Sequence, residues 1–191
     1  MLSEKERAEI GRLWARKLEQ DERKLPQSQR HRNLEPASAE FICALAAGTG
    51  ARRLLEIGGS SGISTIALAA AARETGGRLT SIEIEPSRQE EARETLRRHD
   101  LAHYVEFISG DAGGFLPSLT GLIDFALIDC EKDDYIRFFD MLPVGRGAIV
   151  VADNILSHNL HAYVAHVRSR GSTRSITLPI GKGLEVTVYA G

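Results

Sequence analysis

Short apolar runs that alternate with segments of helical spacing limit most strongly how this chain of 191 residues can fold. Two of the runs end directly at an acidic side chain, one at Asp129 and one at Asp153. Continuous apolar runs of this length are typical of parallel strands that are buried on both faces. Strands that alternate with helices form βαβ units, so the sequence predicts an α/β fold built on a doubly wound, mostly parallel sheet.

The periodicity places the predicted elements along the chain. The strands span residues 53–57, 79–84, 105–109 and 125–129, a fifth ends at Asp153, and helices lie at 63–73 and 87–98. A capping box at Ser3 and Glu6 opens an earlier amphipathic helix, and the polar stretch 27–33 separates it from a short helix at 40–47. Near the end, segments 175–180 and 184–189 flank Gly181-Lys182-Gly183, which predicts a hairpin at an antiparallel edge.

Length and composition favour one globular domain over residues 1–191, with a helical segment at 1–50 and a core at 51–191. The formal net charge is −2, although residues 1–34 hold nine Lys or Arg against six Asp or Glu. Such a basic helix is more often a solvated face or an oligomer contact than a nucleic-acid site. Leu13, Trp14 and Leu18 would suit a homodimer contact or packing on the chain's own sheet.

Targeting signals and cysteine usage give one expectation about location. The first residues lack the apolar centre of a signal peptide, and no run reaches the roughly 18 apolar residues that a membrane span needs. The two cysteines, Cys43 and Cys130, lie far apart and have no metal-ligand spacing, which suits a reducing compartment. We therefore expect a cytoplasmic protein without a membrane partner.

Polar and glycine residues follow the first strands, where ligands bind in open α/β sheets. Glu56, Gly58 and Gly62 form the pattern ExGxxxG between a strand and a helix, where glycines let a ligand approach the backbone. A dinucleotide fingerprint would need glycine at positions 60 and 63, which are serine and isoleucine, so the pattern disfavours NAD. Glu83 ends the second strand and could accept hydrogen bonds from ribose hydroxyls, or it could open the next helix.

Two more residues extend this group, although each has a simpler interpretation. Asp111 follows the third strand and could accept a hydrogen bond from an adenine amino group, or it could be a turn residue. Ser64 starts the helix after the glycine turn, where it could hold a ligand carboxylate or only cap the helix. Because such residues follow three successive strands, their coincidence favours a cofactor of the adenosine type.

Asp129, Asp153 and Asn154 follow the fourth and fifth strands and supply two carboxylates and one amide oxygen. Each could by itself be a helix cap or a turn residue, but together they match the oxygen ligands that Mg²⁺ prefers. A substrate with two adjacent oxygens would complete the coordination, and the cation would lower the pKa of a bound hydroxyl. Lys132 could then accept the proton, or it could form a surface ion pair.

From about Arg53 to Gly191 the chain resembles the cation-dependent class I O-methyltransferases that use S-adenosylmethionine, the group that contains catechol and caffeoyl-CoA O-methyltransferases. The motifs that carry the resemblance are Leu54-Leu55-Glu56-Ile57-Gly58 through Gly62, Ile82-Glu83-Ile84, Gly110-Asp111-Ala112, Asp129 through Lys132 to Tyr135, Asp153-Asn154 and Gly183-Leu184-Glu185. The resemblance implies a seven-stranded sheet whose last strand is antiparallel, and a core at 51–191 that binds a cofactor and a metal.

The same resemblance implies roles for individual residues. It puts the methionine moiety at Gly58 and Ser64, the ribose at Glu83, and the adenine near Asp111 and Ala112. It puts Mg²⁺ at Asp129, Asp153 and Asn154, and makes Asp129 and Lys132 catalytic, with Lys132 as the base. The full set of implied cofactor contacts is Glu56, Gly58, Gly62, Ser64, Glu83, Ile84, Gly110, Asp111, Ala112, Asp129 and Cys130.

Several functions stay open at this point. The leading hypothesis is Mg²⁺-dependent methylation of one hydroxyl of a small vicinal diol of phenolic type. Catechol enzymes carry a His-Trp pair where this chain has Cys130 and Glu131, so the resemblance does not name the acceptor. Alternatives are methylation of a hydroxylated tRNA base, a non-catalytic S-adenosylmethionine-binding protein and, ranked lower, a metal-free N-methyltransferase. His158 is interpreted as a surface residue or a neighbour of the metal ligands rather than as a ligand.

Overall fold

The computed structural model describes residues 1–26 and 30–191. Of the predicted polar stretch 27–33, residues 27–29 therefore lie outside the described part. The described residues form a seven-stranded sheet with the strand order β3-β2-β1-β4-β5-β7-β6. Its strands are β1 Arg53–Ile57, β2 Arg78–Glu83, β3 Val105–Ser109, β4 Ile123–Ile128, β5 Val144–Ala152, β6 Thr173–Leu178 and β7 Leu184–Tyr189.

The directions of the strands confirm the predicted mixed sheet. Strands β1 to β5 pair in parallel, and β7 runs antiparallel to both of its neighbours, β5 and β6. The hairpin forms one edge of the sheet as predicted, with β6 outermost and β7 second from the edge. Because Ala152 of β5 pairs with Glu185 of β7, the turn of the hairpin lies beside the carboxyl end of β5.

Helices cover both faces of this sheet. They are α1 Glu4–Glu22, α2 Pro36–Gly48, α3 Ile63–Thr75, α4 Pro86–Arg98, α5 Ala112–Phe115, α6 Tyr135–Met141 and α7 His161–Ser169. Leu54 of β1 packs in one core with residues of α1, α2 and α3, whereas its neighbour Leu55 packs in a second core with Phe139 of α6 and Tyr163 of α7. Both faces of the strands must be apolar for this arrangement, which is why the apolar runs are continuous.

The N-terminal helix begins as the sequence predicts. The backbone N–H of Glu6 donates to the Ser3 hydroxyl, and the Ser3 N–H donates to the Glu6 carboxylate, so the capping box is present. Leu13 is fully buried in the chain's own core, whereas Leu18 is 43% exposed. Of the two alternatives for Leu13, packing within the chain is therefore the one that the structure shows, and a homodimer contact through Leu13 is wrong.

Some elements differ from the prediction. Helices α5, α6 and α7 were not predicted, because segments of four to nine residues are too short for helical periodicity to show. Strand β2 ends at Glu83, one residue before the predicted end, and Ile84 beyond it is 64% exposed. Over residues 1–26 and 30–191, each helix is either too short or too polar to cross a membrane.

Candidate active site

A cavity opens at the carboxyl ends of β1, β2, β3 and β4, and we call it the strand-end cavity. Eight residues that were predicted to contact a cofactor line it: Gly58, Glu83, Ile84, Gly110, Asp111, Ala112, Asp129 and Cys130. The carboxyl ends of parallel strands meet at one edge of the sheet, so residues far apart in sequence come together here. The other lining residues are Arg32, Ile57, Ser60, Ile82, Arg88, Glu131, Asp134 and Phe138.

The glycine turn after β1 brings the backbone to the wall of this cavity. Gly58 has a φ of 94°, and a Cβ there would collide with the carbonyl oxygen of Asp129, so a side chain does not fit. The N–H of Ser60 donates to Oε2 of Glu83 at 2.7 Å, and the N–H of Glu85 donates to Oε1 at 2.9 Å. These two bonds hold the Glu83 carboxylate at the cavity wall.

Three of the predicted cofactor contacts lie beneath the turn and outside the cavity lining. Glu56 is fully buried, and its Oε2 accepts hydrogen bonds from the hydroxyls of Thr65 at 2.7 Å and Ser81 at 2.5 Å. Burial raises the pKa of Glu56, and Ser64 also faces this carboxyl group. Gly62 has a φ of 107° and packs closely against α4. The glycine turn that carries Gly58 and Ser60 to the cavity is thus supported from beneath by Glu56, Gly62 and Ser64.

The three predicted metal ligands meet where β4 and β5 end. Nδ2 of Asn154 donates to Oδ1 of Asp129 at 2.8 Å and to Oδ2 of Asp153 at 3.0 Å. Oδ1 of Asp153 is buried and has no hydrogen-bond partner among the described residues. Burial, and then the charge of Asp129, raise the pKa of Asp153 from 3.8 to about 8. Two buried carboxyl groups with an unused oxygen form an arrangement that a hard cation would stabilise.

Lys132 lies next to this cluster in a short 3₁₀ turn, Lys132–Asp134. Its Nζ donates to the Tyr135 hydroxyl at 2.8 Å and to the carbonyl oxygen of Cys130 at 3.0 Å, and it lies 3.4 Å from Oδ1 of Asp129. The Tyr135 hydroxyl donates in turn to the carbonyl oxygen of Asp153 at 3.2 Å. Burial, and then the charge of Asp129, raise the pKa of Tyr135 well above its usual value. A neutral, buried tyrosine thus fixes the amine beside the carboxyl groups.

A second cavity adjoins the first, and we call it the cationic cavity. It has a volume of about 260 Å³ and is lined by Lys17, Asp21, Arg30, His31, Arg32, Asn33, Asp129, Lys132, Asn154, His158 and Lys182. Asp129 and Arg32 line both cavities, so the two share a wall. His158 is largely exposed, but partial burial of its ring, and then the charges of Lys132 and Lys182, lower its pKa.

The sequence did not point to several residues that the fold brings to these cavities. Arg32 is one: its N–H donates to the Ser60 hydroxyl at 3.2 Å, and its guanidinium pairs with Glu131. Phe138 is another, because it lies on the unpredicted helix α6. The polar residues around Arg32 stand in a segment without a motif, so only the tertiary structure reveals that this segment borders the site.

Comparison with known proteins agrees with this arrangement. A family model described as O-methyltransferase matches residues 12–177. The chain belongs to the O-methyltransferase family. Within it, the chain is 38% identical over 120 residues to a catechol O-methyltransferase of Mycobacterium tuberculosis, covering 61% of this chain and 54% of that protein. A catechol O-methyltransferase of Niastella koreensis is 32% identical over 130 residues, covering 65% and 58%. The chain thus spans about half the length of these relatives.

Solved structures share the fold over nearly the whole chain. The O-methyltransferase TomG from Streptomyces achromogenes, involved in tomaymycin synthesis and solved in complex with SAM, matches with a TM-score of 0.82 at 25% identity. The match covers 100% of this chain and 92% of TomG. The cofactor-bound Rv0187 from MTB matches with a TM-score of 0.77 at 27% identity, covering 93% of this chain and 89% of that one. The predicted Rossmann-like methyltransferase fold is confirmed.

Proposed function

We propose that this chain transfers a methyl group from S-adenosylmethionine to one hydroxyl of a small vicinal diol, with a divalent cation such as Mg²⁺ held by Asp129, Asp153 and Asn154. The observation that carries the proposal is the wall that the two cavities share at Asp129. A donor in the strand-end cavity and an acceptor in the cationic cavity would meet there. Such adjacency is required, because the methyl carbon must lie in line between sulfur and oxygen, about 3 Å from the attacking atom.

The strand-end cavity supports the donor half of the proposal. Its Glu83 carboxylate would accept hydrogen bonds from the ribose hydroxyls, and the backbone at Gly58 leaves room for the methionine moiety. Asp111 and Ala112 would lie at the adenine, and Phe138 offers an aromatic surface on the same cavity. TomG was solved in complex with SAM and Rv0187 with a bound cofactor, which supports S-adenosylmethionine as the donor for this chain.

The carboxyl cluster supports the cation. The buried Oδ1 of Asp153 lacks a partner among the described residues, and two adjacent carboxyl groups repel each other unless a proton or a cation lies between them. In the described part of the chain, three or more His, Cys, Asp or Glu do not cluster as a metal site, so Asn154 would have to supply the third ligand. Its amide oxygen, rather than Nδ2, would then face the carboxylates. A bound cation would lower the pKa of a hydroxyl coordinated to it.

Lys132 is the base in this proposal. In its neutral form, the Lys132 amine would accept the proton of the acceptor hydroxyl, and the resulting oxygen nucleophile would take the methyl group as the carbon–sulfur bond breaks. The electron pair of the broken carbon–sulfur bond stays on sulfur, so the products are the methyl ether and S-adenosylhomocysteine. Tyr135 and the Cys130 carbonyl hold the amine in place for this step. A positioned base of this kind contributes about 10²-fold to 10⁴-fold in rate.

The test is turnover on a panel of catechols with and without EDTA, combined with a substitution at Asp153. Asp153→Ala should abolish cation-dependent turnover and leave S-adenosylmethionine binding intact, because Asp153 lies outside the strand-end cavity lining. Asp133→Ala is the matched control, since it removes an exposed carboxylate from a nearby turn. Rates that EDTA does not change would contradict the cation, and loss of cofactor affinity in Asp153→Ala would contradict the assignment of that residue.

A further inference from the structure

We propose that the acceptor carries an anionic group, a carboxylate or a phosphate, and that Lys182 in the turn between β6 and β7 binds this group. The proposal rests on the proposed function, because it names the class of diol that the same active site would take. The substrate hydroxyls would lie at the carboxyl cluster, and the anionic group would lie on the opposite side of the substrate, toward Lys182. Three properties of the cationic cavity support this assignment.

The first property is the chemistry of the lining. The eleven lining residues within the described part of the chain all carry polar or ionisable side chains, and none of them is aliphatic or is Phe, Tyr or Trp. Five are Lys or Arg, against two Asp. A neutral aromatic diol gains little from such walls, because apolar surface contributes to binding only when it is removed from water against apolar groups. A diol with an anionic group would gain electrostatic attraction over the whole cavity.

The second property is the position of Lys182. The N–H of Ile155 donates to the carbonyl oxygen of Gly183 at 3.0 Å, and the N–H of Leu156 donates to that of Lys182 at 2.9 Å. The two segments lie so close that a Cβ on Gly183 would come within 2.8 Å of the Leu156 nitrogen. These contacts fix the turn against the residues that directly follow Asn154. Lys182 is thereby held in the lining of the same cavity as two of the proposed metal ligands, Asp129 and Asn154.

The third property is that Lys182 lacks an ion-pair partner among the described residues, whereas the other cations that line the cavity are paired. Lys17 and Arg30 share the carboxylate of Asp21, at 2.5 and 3.3 Å. Arg32 pairs with Glu131, and Lys132 is bound as described above. Half-buried Lys182, in contrast, forms no side-chain hydrogen bond or ion pair within 4 Å with another residue in the described ranges 1–26 and 30–191, although its charge acts on the nearby Asp153 and His158. A lysine that lines a polar cavity and forms no ion pair or side-chain hydrogen bond there is available to a ligand.

The pairing of the N-terminal cations makes a small anion a better occupant than an RNA phosphate backbone. Arg7 pairs with Glu40, Arg12 with Glu9, and Arg16 with Glu91. These arginines are therefore already neutralised within the chain, although the net charge of their segment is positive. RNA binding depends on cations spread along an outer surface, where they replace counterions of several phosphates. Lys182 instead lines a cavity of about 260 Å³.

The experiment compares acceptors that share the diol and differ in charge. We would measure kcat and KM for catechol, 3,4-dihydroxybenzoate, 3,4-dihydroxybenzylphosphonate and dopamine. The wild-type protein should favour the two anionic diols over catechol by about tenfold or more in kcat/KM, mainly through KM, and should disfavour the cationic amine. The carboxylate and phosphonate arms show which anion the cavity prefers.

Substitution of Lys182 assigns this preference to one side chain. Lys182→Met should remove most of the ratio between anionic diol and catechol, and Lys182→Glu should shift the preference toward the amine. Lys5→Met is the matched control, because it removes an exposed lysine of α1 that lies outside the cavity lining, and it should leave the ratio unchanged. Thermal melting of each variant checks that the fold is intact. Equal kcat/KM for neutral and anionic diols, or an unchanged ratio in both Lys182 variants, would overturn the proposal.

Binding measured without turnover separates this inference from the proposed function. Calorimetric titration of 3,4-dihydroxybenzoate into the wild-type protein and Lys182→Met should give a weaker Kd for the variant, whether or not methyl transfer occurs. If every diol fails as a substrate but this difference is found, the proposed reaction fails and the anion site stands. If diols are methylated without regard to charge, the reaction stands and the anion site fails. Methylation of tRNA, with an affinity that falls steeply with salt and no binding of the small anions, would also overturn the inference.

Discussion

Replacing Asp153 by Asn should stabilise the metal-free protein while it destroys the proposed cation site. Asp153 is 3% exposed, and its neighbour Asp129 carries a second carboxyl group that shares the Asn154 amide as a hydrogen-bond donor. Without a cation, an ionised Asp153 is disfavoured by its burial and by the charge of Asp129. Asparagine has nearly the same shape and carries no charge, so it avoids this cost.

The size of the effect follows from the pKa. In the folded protein the pKa of Asp153 rises from 3.8 to about 8, so between these values the folded state binds a proton that the unfolded state releases. The stability of the wild-type protein should therefore fall as pH rises, by about 1.4 kcal/mol per pH unit from this group. At pH 7 the raised pKa of Asp153 lowers the free energy of unfolding of the wild-type protein by about 4 kcal/mol. The Asn variant should be more stable by an amount of this order.

Urea denaturation in EDTA at several pH values between about 5 and 8 measures this difference. The gap between Asp153→Asn and the wild-type protein should widen with rising pH and close toward pH 4. Asp133→Asn, which neutralises an exposed carboxylate, should show no such widening. Addition of Mg²⁺ should stabilise the wild-type protein and not Asp153→Asn. A gap that is absent, or that does not depend on pH, would refute the reasoning about the carboxyl pair.

Three other substitutions test separate parts of the site. Lys132→Met should lower kcat by at least about 10²-fold and leave S-adenosylmethionine affinity nearly unchanged, as steady-state kinetics and calorimetry would measure. Glu83→Gln should weaken cofactor binding by about tenfold in calorimetric titration, because it removes a charged acceptor that two backbone N–H groups hold at the cavity wall. Gly58→Ala should destabilise the fold by about 2 kcal/mol or more in urea denaturation, because its Cβ would collide with Asp129; Gly48→Ala, where the space is open, should not.

The sequence predicted the sheet well because its strands are buried on both faces. Continuous apolar runs such as those before Asp129 and Asp153 are typical of buried parallel strands in a chain of this size. Short crossover helices escaped prediction for the opposite reason. Helix α6 has seven residues, and its buried Tyr135, Phe138 and Phe139 follow a spacing that too few turns repeat. The parts of the fold with long, regular patterns could thus be predicted, and the short connections could not.

The candidate site divides in the same way. Residues at the end of a strand, such as Glu83, or directly after one, such as Asp129, could be predicted because the ends of parallel strands must meet at one edge. The motif also predicted Glu56 as a cofactor contact, yet its buried carboxyl group lies beneath the glycine turn and does not line the cavity. Lys17 and Arg32 come from the N-terminal segment, and their position beside the site depends on how α1 packs. Local sequence carries no signal for such packing.

In the three-residue turn Gly181-Lys182-Gly183, the backbone makes the structural contacts, and the side chain of Lys182 is free to vary. Gly183 and the main-chain carbonyl of Lys182 hold the segment after Asn154, and this task makes no use of the side chain at position 182. A change of that side chain can therefore alter the wall that faces the proposed acceptor site while the strands stay in register. Position 182 is for this reason the natural place to begin redesigning which molecules the protein accepts, by saturation mutagenesis of a single codon.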